Sequence, residues 1–329
     1  MRLKIVTFLK LAGEVIDFMA ENFFAAVELG GTKCIAGIGD GITIVDEVTI
    51  PTRSPEETVG TLINFINQSK RTFGGIRGLG IASFGPIDLN LHSADFGCIQ
   101  NSPKKHWEGF NLQQAFSVMD CPTAIDTDVN AACLAEAYIG AGRDSKNVVY
   151  TTIGTGIGVG IVADGVVFSG KTHPEIGHIS VHQEAYCDPF EGLCPYHRNC
   201  LEGLASGPAI LARWGQSLSD LPVEHPAHVL EAGYLAQLVK MLTLSFSPDK
   251  IILGGGVMMT PGLIELVRLK TLEALNGYIS DLLTLDEMLS LIKAPELGNK
   301  SGLLGAMIKI KNIVLGEDFN VSATRPVDA

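Results

Sequence analysis

Short apolar runs separated by glycine-rich turns dominate the first third of the chain. They predict four strands, at residues 23–29, 34–39, 42–50 and 78–84. Asp40 and Gly41, between the second and third runs, are a strong hairpin signal. Ser54 and Pro55 favour the start of a helix, because serine caps a first turn and proline fits inside it.

The same order of elements recurs later in the chain. Periodicity predicts three more strands and two helices, at residues 148–153, 157–163, 250–256, 227–246 and 261–275. A shift of 124 residues places Gly30 on Gly154 and Asp40 on Asp164. We therefore expect two related α/β halves, with ligands bound where strand ends meet helix N-termini.

Composition limits the class of ligand. The chain has 329 residues, and 46% of them are hydrophobic. A chain of this length can form two domains. A net charge of −12 argues against electrostatic binding of nucleic acid or anionic lipid. A phosphorylated ligand would have to be held locally, by backbone amides, helix N-termini or a metal ion. Seven cysteines, an odd number in a large chain, favour a reduced cytoplasmic protein.

Residues 1–22 precede the first predicted strand and only partly fit an export signal. Their start is basic and apolar residues follow, but Lys10, Glu14 and Asp17 interrupt the apolar stretch and no small-residue cleavage site follows. We expect a short extra helix, or translated upstream sequence with the true start at Met19. We also expect no membrane attachment, because no apolar run reaches the length that a bilayer requires.

Glycine turns that could hold phosphate follow the first strand of each half. Their residues are Gly30, Gly31, Thr32 and Lys33 in the first half and Gly154, Thr155 and Gly156 in the second. Glycine lets backbone amides approach phosphate oxygens, and the threonines add hydroxyl donors. Neither turn fits the P-loop or the dinucleotide-binding pattern. One such turn is weak evidence of contact with phosphate, whereas two at matching positions in repeated halves are better evidence.

Asp128 follows an apolar stretch and precedes an alanine-rich helix. One interpretation makes it the cap of that helix, which this position favours. The other makes it a general base, since phosphoryl transfer to a hydroxyl needs a carboxylate to take the proton. The local sequence does not decide between the two.

Four soft or borderline metal ligands crowd into the second half. They are His178, Cys194, His197 and Cys200. The spacing within CPYHRNC suits a tetrahedral zinc site, with His178 arriving from an upstream loop. His173, His182 and Cys187 are nearby and could replace one ligand. The alternative is a set of unrelated surface residues, which the density of ligand types argues against.

Glu175 and Glu202 flank this cluster. They could be solvated acids or a helix cap. They could also clamp a sugar, because carboxylates accept directional hydrogen bonds from hydroxyl groups.

Together these motifs resemble the ROK family (repressor, open reading frame, kinase) of sugar kinases and sugar-sensing repressors, over residues 23–314. The matching motifs are ELGGTK at 28–33, ASFGP at 82–86, DTDVNAA at 126–132, TIGTGIGVG at 152–160, HPEIGH at 173–178, CPYHRNC at 194–200, EGLASGPAI at 202–210 and LGGGV at 253–257. In combination they are highly specific, and they are most similar to the bacterial fructokinase branch.

The resemblance implies an α/β, two-domain, actin-like and hexokinase-like fold of the ribonuclease H type, with ATP and sugar in the cleft between domains. We expect a small domain at residues 23–126, completed by a helix near 301–316, and a large domain at 127–300 with a zinc-binding segment at 173–202. The implied reaction is phosphorylation of fructose to fructose 6-phosphate. We also expect a homodimer.

The resemblance also implies roles for individual residues. Asp128 becomes the catalytic base, and Glu175, His178 and Glu202 join it in binding the sugar. The two glycine turns hold ATP phosphates, Gly255 and Gly256 lie near the nucleoside, and magnesium travels with ATP. The cluster of His178, Cys194, His197 and Cys200 holds a structural zinc.

Three positions depart from the common family pattern. Glu28 stands where many members have aspartate, which puts its role near magnesium in doubt. Thr127 replaces an asparagine and alters the expected sugar contacts, and His197 replaces a cysteine without removing the metal site.

Three other functions compete with the fructokinase interpretation. The first is another hexose or N-acetylhexosamine kinase acting on glucose, mannose or N-acetylmannosamine. The second is a sugar-responsive repressor without kinase activity, for which residues 1–22 leave too little room for a DNA-binding module. The third is a zinc-binding scaffold, which would not explain the paired glycine turns.

Overall fold

The computed structural model describes residues 23–102, 104, 106–183 and 188–316. These residues form two compact units. Unit 1 runs through Ala132 and resumes at Gly302, and unit 2 runs from Cys133 to Ser301. The predicted N-terminal extension, residues 1–22, lies outside the described part of the chain.

Unit 1 contains a five-stranded sheet. Its strands are β1 (Phe24–Leu29), β2 (Lys33–Gly39), β3 (Ile44–Pro51), β4 (Leu79–Ser83) and β5 (Thr123–Thr127). They lie in the order β3-β2-β1-β4-β5. The hairpin partners β1, β2 and β3 are antiparallel, whereas β4 and β5 continue the sheet in parallel with β1. The hairpin predicted at Asp40 is present, since the Oδ1 atom of Asp40 accepts hydrogen bonds from the Ile42 and Thr43 amides.

Unit 2 repeats this topology. Its strands are β6 (Val148–Ile153), β7 (Ile157–Ala163), β8 (Val166–Val167), β9 (Lys250–Gly254) and β10 (Ile292–Lys293). From the hairpin edge the order is β8-β7-β6-β9-β10. The first three are again antiparallel and the last two again parallel. The internal repeat predicted from the sequence is therefore confirmed.

Helices cover the sheets. They are α1 (Pro55–Phe73), α2 (Leu112–Phe116), α3 (Asp128–Ile139), α4 (Leu201–Ala205), α5 (Gly207–Trp214), α6 (Pro226–Phe246), α7 (Leu263–Leu275), α8 (Leu285–Leu291) and α9 (Ser301–Leu315). The start of α1 is as predicted, because the Ser54 side chain accepts a hydrogen bond from the Glu57 amide. Helices α6 and α7 match the two predicted from periodicity.

Both faces of the unit 1 sheet are buried, which explains why β1 is apolar without alternation. Ala25, Val27 and Leu29 on one face pack with apolar residues of α1. Phe24 and Ala26 on the other face pack with apolar residues of α9. The second face therefore needs a helix from the C-terminal part of the chain.

Helix α6 is long and apolar enough to cross a membrane by length and composition, with a mean hydropathy of 1.2. The expectation that no segment reaches this threshold is therefore wrong. Half of the qualifying window is buried within the structure. Leu235, Leu238 and Leu242 belong to the hydrophobic core of unit 2, so α6 serves as a core helix.

A buried carboxylate in α3 fixes the start of α9. Glu136 is fully buried. Its Oε1 accepts hydrogen bonds from the Leu297 amide at 3.0 Å and the Ser301 hydroxyl at 2.8 Å. Its Oε2 accepts from the amides of Ala141 at 2.9 Å and Glu296 at 3.1 Å. Four donors converge on one side chain that has no donor of its own when ionised.

Glu136→Gln is expected to lower the free energy of unfolding by about 3 kcal/mol, because the amide would turn an NH₂ group towards two donors. Urea denaturation measures the change. The control is Glu224→Gln, at an exposed position, which should change stability by less than about 0.5 kcal/mol. Equal effects in the two variants would contradict the assigned role of Glu136.

Candidate active site

Asp128 is the first residue of α3, directly after β5. The Thr127 hydroxyl accepts a hydrogen bond from the Asn130 amide at 3.1 Å, which is the contact that an N-cap residue makes. Asp128 Oδ1 accepts from the adjacent Val129 amide at 2.9 Å. The helix-cap interpretation of Asp128 is therefore wrong, because Thr127 performs that role.

A buried polar network holds this junction in place. Asp126 is 3% exposed, and its Oδ2 lies 2.6 Å from the Lys309 ammonium. Its Oδ1 accepts from the Asn130 side-chain amide at 2.7 Å and the Thr127 backbone amide at 2.8 Å. The sequence interpretation missed Asp126. An acid inside a buried strand was the available signal, because such a group needs a partner.

Glu28, at the end of β1, is a second carboxyl group near Asp128. Burial raises the pKa of Glu28 to about 7, repulsion from Asp128 adds to this, and Lys33 and the Leu303 amide oppose it. A Cβ atom on residue 302 would lie 2.6 Å from the Glu28 carboxyl carbon, so Gly302 makes room for this side chain. The Oε2 atom of Glu28 is buried and has no hydrogen-bond partner among the described residues. Two nearby carboxyl groups favour a cation.

The first glycine turn follows Glu28 by two residues. The Gly30 amide donates to the Lys33 carbonyl at 3.0 Å and closes the turn. Thr52, at the end of β3, donates from its hydroxyl to the Gly30 carbonyl at 2.8 Å. Gly31 is partly exposed, and Thr32 and Lys33 are exposed. Unit 1 thus brings Asp128, Glu28 and the turn into one neighbourhood.

The second glycine turn meets a third one, at Gly255 and Gly256, at the ends of the parallel strands β6 and β9. The Gly154 amide donates to the Gly156 carbonyl at 2.9 Å, and Thr155 between them is exposed. Gly255 has φ +92°, and a Cβ atom there would lie 2.3 Å from the Ile153 carbonyl oxygen. Only glycine fits this position. The amide of Gly256 lies 3.8 Å from the Cβ position of residue 154.

The N-terminus of α5 joins these two turns. The Gly207 amide donates to the Gly154 carbonyl at 2.7 Å. Sequence reasoning missed Gly207, although a capping Ser206 and a Pro208 in the first turn mark a helix start. Strand ends and a helix N-terminus together form an arrangement that suits phosphate.

The predicted metal ligands come together in unit 2. The ligand atoms of His178, Cys194, His197 and Cys200 all lie within 4.8 Å of one another. Cys194 Sγ is 3.6 Å from His178 Nδ1 and 3.7 Å from His197 Nδ1, and Cys200 Sγ is 3.5 Å from His178 Nδ1. With bonds of about 2.3 Å to sulfur and 2.0–2.1 Å to nitrogen, a tetrahedral zinc ion separates such ligands by about 3.6 Å. The four residues therefore fit zinc.

The backbone shapes this cluster. The amide and carbonyl groups of Cys194 bond to the carbonyl and amide groups of Arg198. Ser180 pairs with Cys200 as an isolated bridge, which brings the segment of His178 against the loop. Burial raises the pKa of the Cys200 thiol to about 11, so its thiolate needs a cation.

Of the three alternative ligands, His173 and His182 are not part of this cluster. His173 Nδ1 lies 3.3 Å from Glu175 Oε1. The backbone of His182 exchanges hydrogen bonds with the side chain of Gln237. Cys187 lies outside the described residues.

Glu202 connects the cluster to the second glycine turn. Its Oε2 accepts from the Ile157 amide at 2.9 Å, and its Oε1 lies 3.9 Å from His178 Nε2. His178 therefore turns one ring nitrogen to the sulfur atoms and the other to Glu202. Burial raises the pKa of Glu175, and His173 and His178 oppose the shift. Glu175, His178 and Glu202 thus lie in one neighbourhood.

The chain is similar to known proteins over most of its length. The sequence model of the ROK family matches residues 24–313. A fructokinase from Pediococcus pentosaceus is 40% identical over 286 residues, which are 86% of this chain and 96% of that protein. A fructokinase from Zymomonas mobilis is 38% identical over 291 residues, 87% of this chain and 95% of that protein.

Solved structures agree on the fold. The ROK hexokinase from Thermus thermophilus superposes with a TM-score of 0.72 at 25% identity. The match covers 89% of this chain and 99% of that hexokinase.

Proposed function

The chain belongs to the ROK family and has its actin-like, two-domain α/β fold, and on this premise we propose that it phosphorylates fructose with ATP to give fructose 6-phosphate. The observation that carries the proposal is the similarity to two fructokinases over 86% and 87% of the chain. The position of Asp128 supports it, since a carboxylate at a strand-to-helix junction is not used there as a cap.

Asp128 is the group we propose as general base. It takes the proton of the attacking sugar hydroxyl as the phosphoryl group is transferred, a step that needs positioning and charge more than covalent help. The glycine turns at Gly30 and Gly154 hold phosphate oxygens through backbone amides. ATP with Mg²⁺ supplies the phosphoryl group and neutralises its charge. Glu28 beside Asp128 gives unit 1 a carboxyl pair that fits the cation.

The sugar hydroxyls are bound, in this proposal, by Asp128, Glu175, His178 and Glu202. Zinc is structural, because four protein ligands leave no open position for an activated water. A zinc ion bound by these four residues would hold His178 through Nδ1 and would leave Nε2 for a hydroxyl group. The homodimer and the cytoplasmic location stay predictions.

Fructose is expected to give the highest kcat/KM in a panel with glucose, mannose and N-acetylmannosamine. ADP release in the presence of ATP and magnesium measures each value. A tenfold preference corresponds to about 1.4 kcal/mol in the transition state. If glucose or N-acetylmannosamine exceeds fructose tenfold, the alternative hexose or N-acetylhexosamine kinase replaces the fructokinase assignment. If no sugar in the panel is turned over, the kinase proposal fails.

A further inference from the structure

One buried arginine holds both ends of the segment that carries most of the metal ligands. Arg213 lies on α5, and its Nε is 3.1 Å from Asp188 Oδ1. Its Nη1 donates to the Leu204 carbonyl at 2.9 Å. The stretch 188–204, which we name the ligand loop, contains Cys194, His197, Cys200 and Glu202. The Arg213 and Asp188 side chains are 6% and 3% exposed. The contact with Asp188 is a buried ion pair in which Nε lacks hydrogen-bond geometry, and the contact with Leu204 is a hydrogen bond, so Arg213 is held to both ends of the loop.

Other contacts of Asp188 attach the start of the ligand loop to the hydrophobic core of unit 2. The Tyr234 hydroxyl, from α6, donates to Asp188 Oδ2 at 2.5 Å. The guanidinium carbon of Arg213 lies 4.5 Å from the ring centre of Phe190. The side-chain amide of Gln183 donates to the carbonyls of Asp188 at 3.1 Å and Phe190 at 2.6 Å. Since Gln183 follows His178 by five residues, the segment of the fourth ligand is tied to the loop as well.

A second carboxyl group faces Arg213 without holding the loop. Glu231 is fully buried, and neither of its carboxyl oxygens has a hydrogen-bond partner among the described residues. Burial raises the pKa of Glu231 well above its ordinary value, and Arg213 opposes the shift. Asp188 is therefore the carboxyl group that contacts Arg213 directly, at 3.1 Å, whereas Glu231 makes no hydrogen bond to it among the described residues.

We propose that Arg213 is a positioning residue for the sugar site, which it maintains by clamping the ligand loop between Asp188 and Leu204. The inference rests on the proposed function, because it makes sugar affinity the property that the clamp controls. Arg213 touches neither Glu202 nor the metal ligands in the contacts described above. It acts through the Leu204 carbonyl, two residues after Glu202, and through Asp188, six residues before Cys194.

Arg213→Met is expected to raise the fructose KM about tenfold while the ATP KM changes less than about twofold, since small displacements of binding groups cost this much. Arg213→Lys keeps the charge but has no planar group to reach Asp188 and Leu204 together, and it should recover part of the loss. Asp188→Asn keeps the shape and leaves the hydrogen bond from Arg213 to the Leu204 carbonyl in place, so this variant should fold and still raise the fructose KM. Glu231→Gln leaves both clamp contacts intact and should behave as wild type.

Trypsin cleavage after Arg198 reports loop mobility independently of catalysis, because Arg198 is exposed on the ligand loop. Cleavage is expected about tenfold faster in Arg213→Met and Asp188→Asn, following local opening of the loop. The matched control is Glu191→Gln, which breaks the exposed Glu191–Arg198 ion pair and leaves the clamp intact. Its fructose KM should stay at the wild-type value.

An unchanged fructose KM in Asp188→Asn, or equal rises in both KM values in Arg213→Met, would overturn the clamp. Unchanged cleavage after Arg198 in both variants would overturn it too. A wild-type enzyme that turns over no sugar would instead remove the proposed function, and proteolysis would still decide whether Arg213 holds the loop.

Discussion

Asp128→Asn is expected to lower kcat by about 10²- to 10⁴-fold, the contribution of a positioned general base. The substitution keeps the side chain's shape and removes its capacity to take a proton. The fructose KM should change less than kcat, because an amide oxygen still accepts a hydrogen bond from a sugar hydroxyl. Steady-state kinetics with saturating ATP and magnesium separates the two parameters.

The structure predicts little loss of stability in this variant. Thr127 caps α3, so the substitution leaves the cap intact. An asparagine oxygen can also accept the hydrogen bond from the Val129 amide that Asp128 Oδ1 accepts. The melting temperature should therefore stay near that of the wild type. Asp120→Asn is the control, since Asp120 is exposed and has φ +49°, a conformation that asparagine also adopts.

A near-normal kcat would contradict the role of Asp128 as base. A large drop in melting temperature would show that its interactions are structural. The variant also changes Glu28, whose pKa of about 7 is raised partly by repulsion from Asp128. Removing that charge should lower the pKa of Glu28, although burial, the larger cause, keeps it above its ordinary value. A shift of the Glu28 carboxyl titration to lower pH, followed by NMR, would confirm that the two groups interact.

Local patterns in the sequence were enough to predict most of the strands, but not the short edge strands β8 and β10. Each half begins with a strand, a glycine turn and a second strand, and the backbone has this order at β1–β2 and at β6–β7. Glycine turns and apolar runs are short-range signals, so the strands and turns that they indicate do not depend on which elements pack against them. The grouping of the four candidate metal ligands was also predictable, because three of the four lie within CPYHRNC.

Long-range polar contacts could not be predicted in the same way. The partners Asp126 and Lys309 are 183 residues apart in the chain, and Glu136 reaches Ser301 across 165. No local period encodes such a pair. The choice between Thr127 and Asp128 as helix cap depends on one residue of register, which sequence patterns do not resolve. Arg213 lies on a helix whose sequence indicates only an amphipathic element.

Cys200→Ser is expected to lower the zinc content and to raise the fructose KM by about tenfold or more, with a smaller change in the ATP KM. Serine is a poor zinc ligand. The Sγ atom of Cys200 is one of the two sulfur atoms that face His178 Nδ1. Without the metal, His178 would lose the bond that we expect to orient its ring. Glu202 follows Cys200 by two residues and should shift with it.

Metal analysis of protein purified without chelator should find about one zinc per chain in the wild type. Cys98→Ser is the matched control, because Cys98 is a partly exposed free cysteine outside the cluster. It should leave zinc content and both KM values unchanged. A wild type without zinc, or a Cys200→Ser variant with the wild-type fructose KM, would contradict the zinc site and show that the cluster is a chance grouping of ligand types.

Zinc content also separates the two ways in which the ligand loop can fail. Cys200→Ser removes a ligand, so the metal is lost and sugar affinity falls with it. Asp188→Asn leaves all four ligands in place and loosens only the base of the loop, so sugar affinity should fall while the protein keeps its zinc. If both variants lost zinc equally, the clamp would act by retaining the metal. If only Cys200→Ser did so, the clamp and the metal would position Glu202 independently, one from each end of α4.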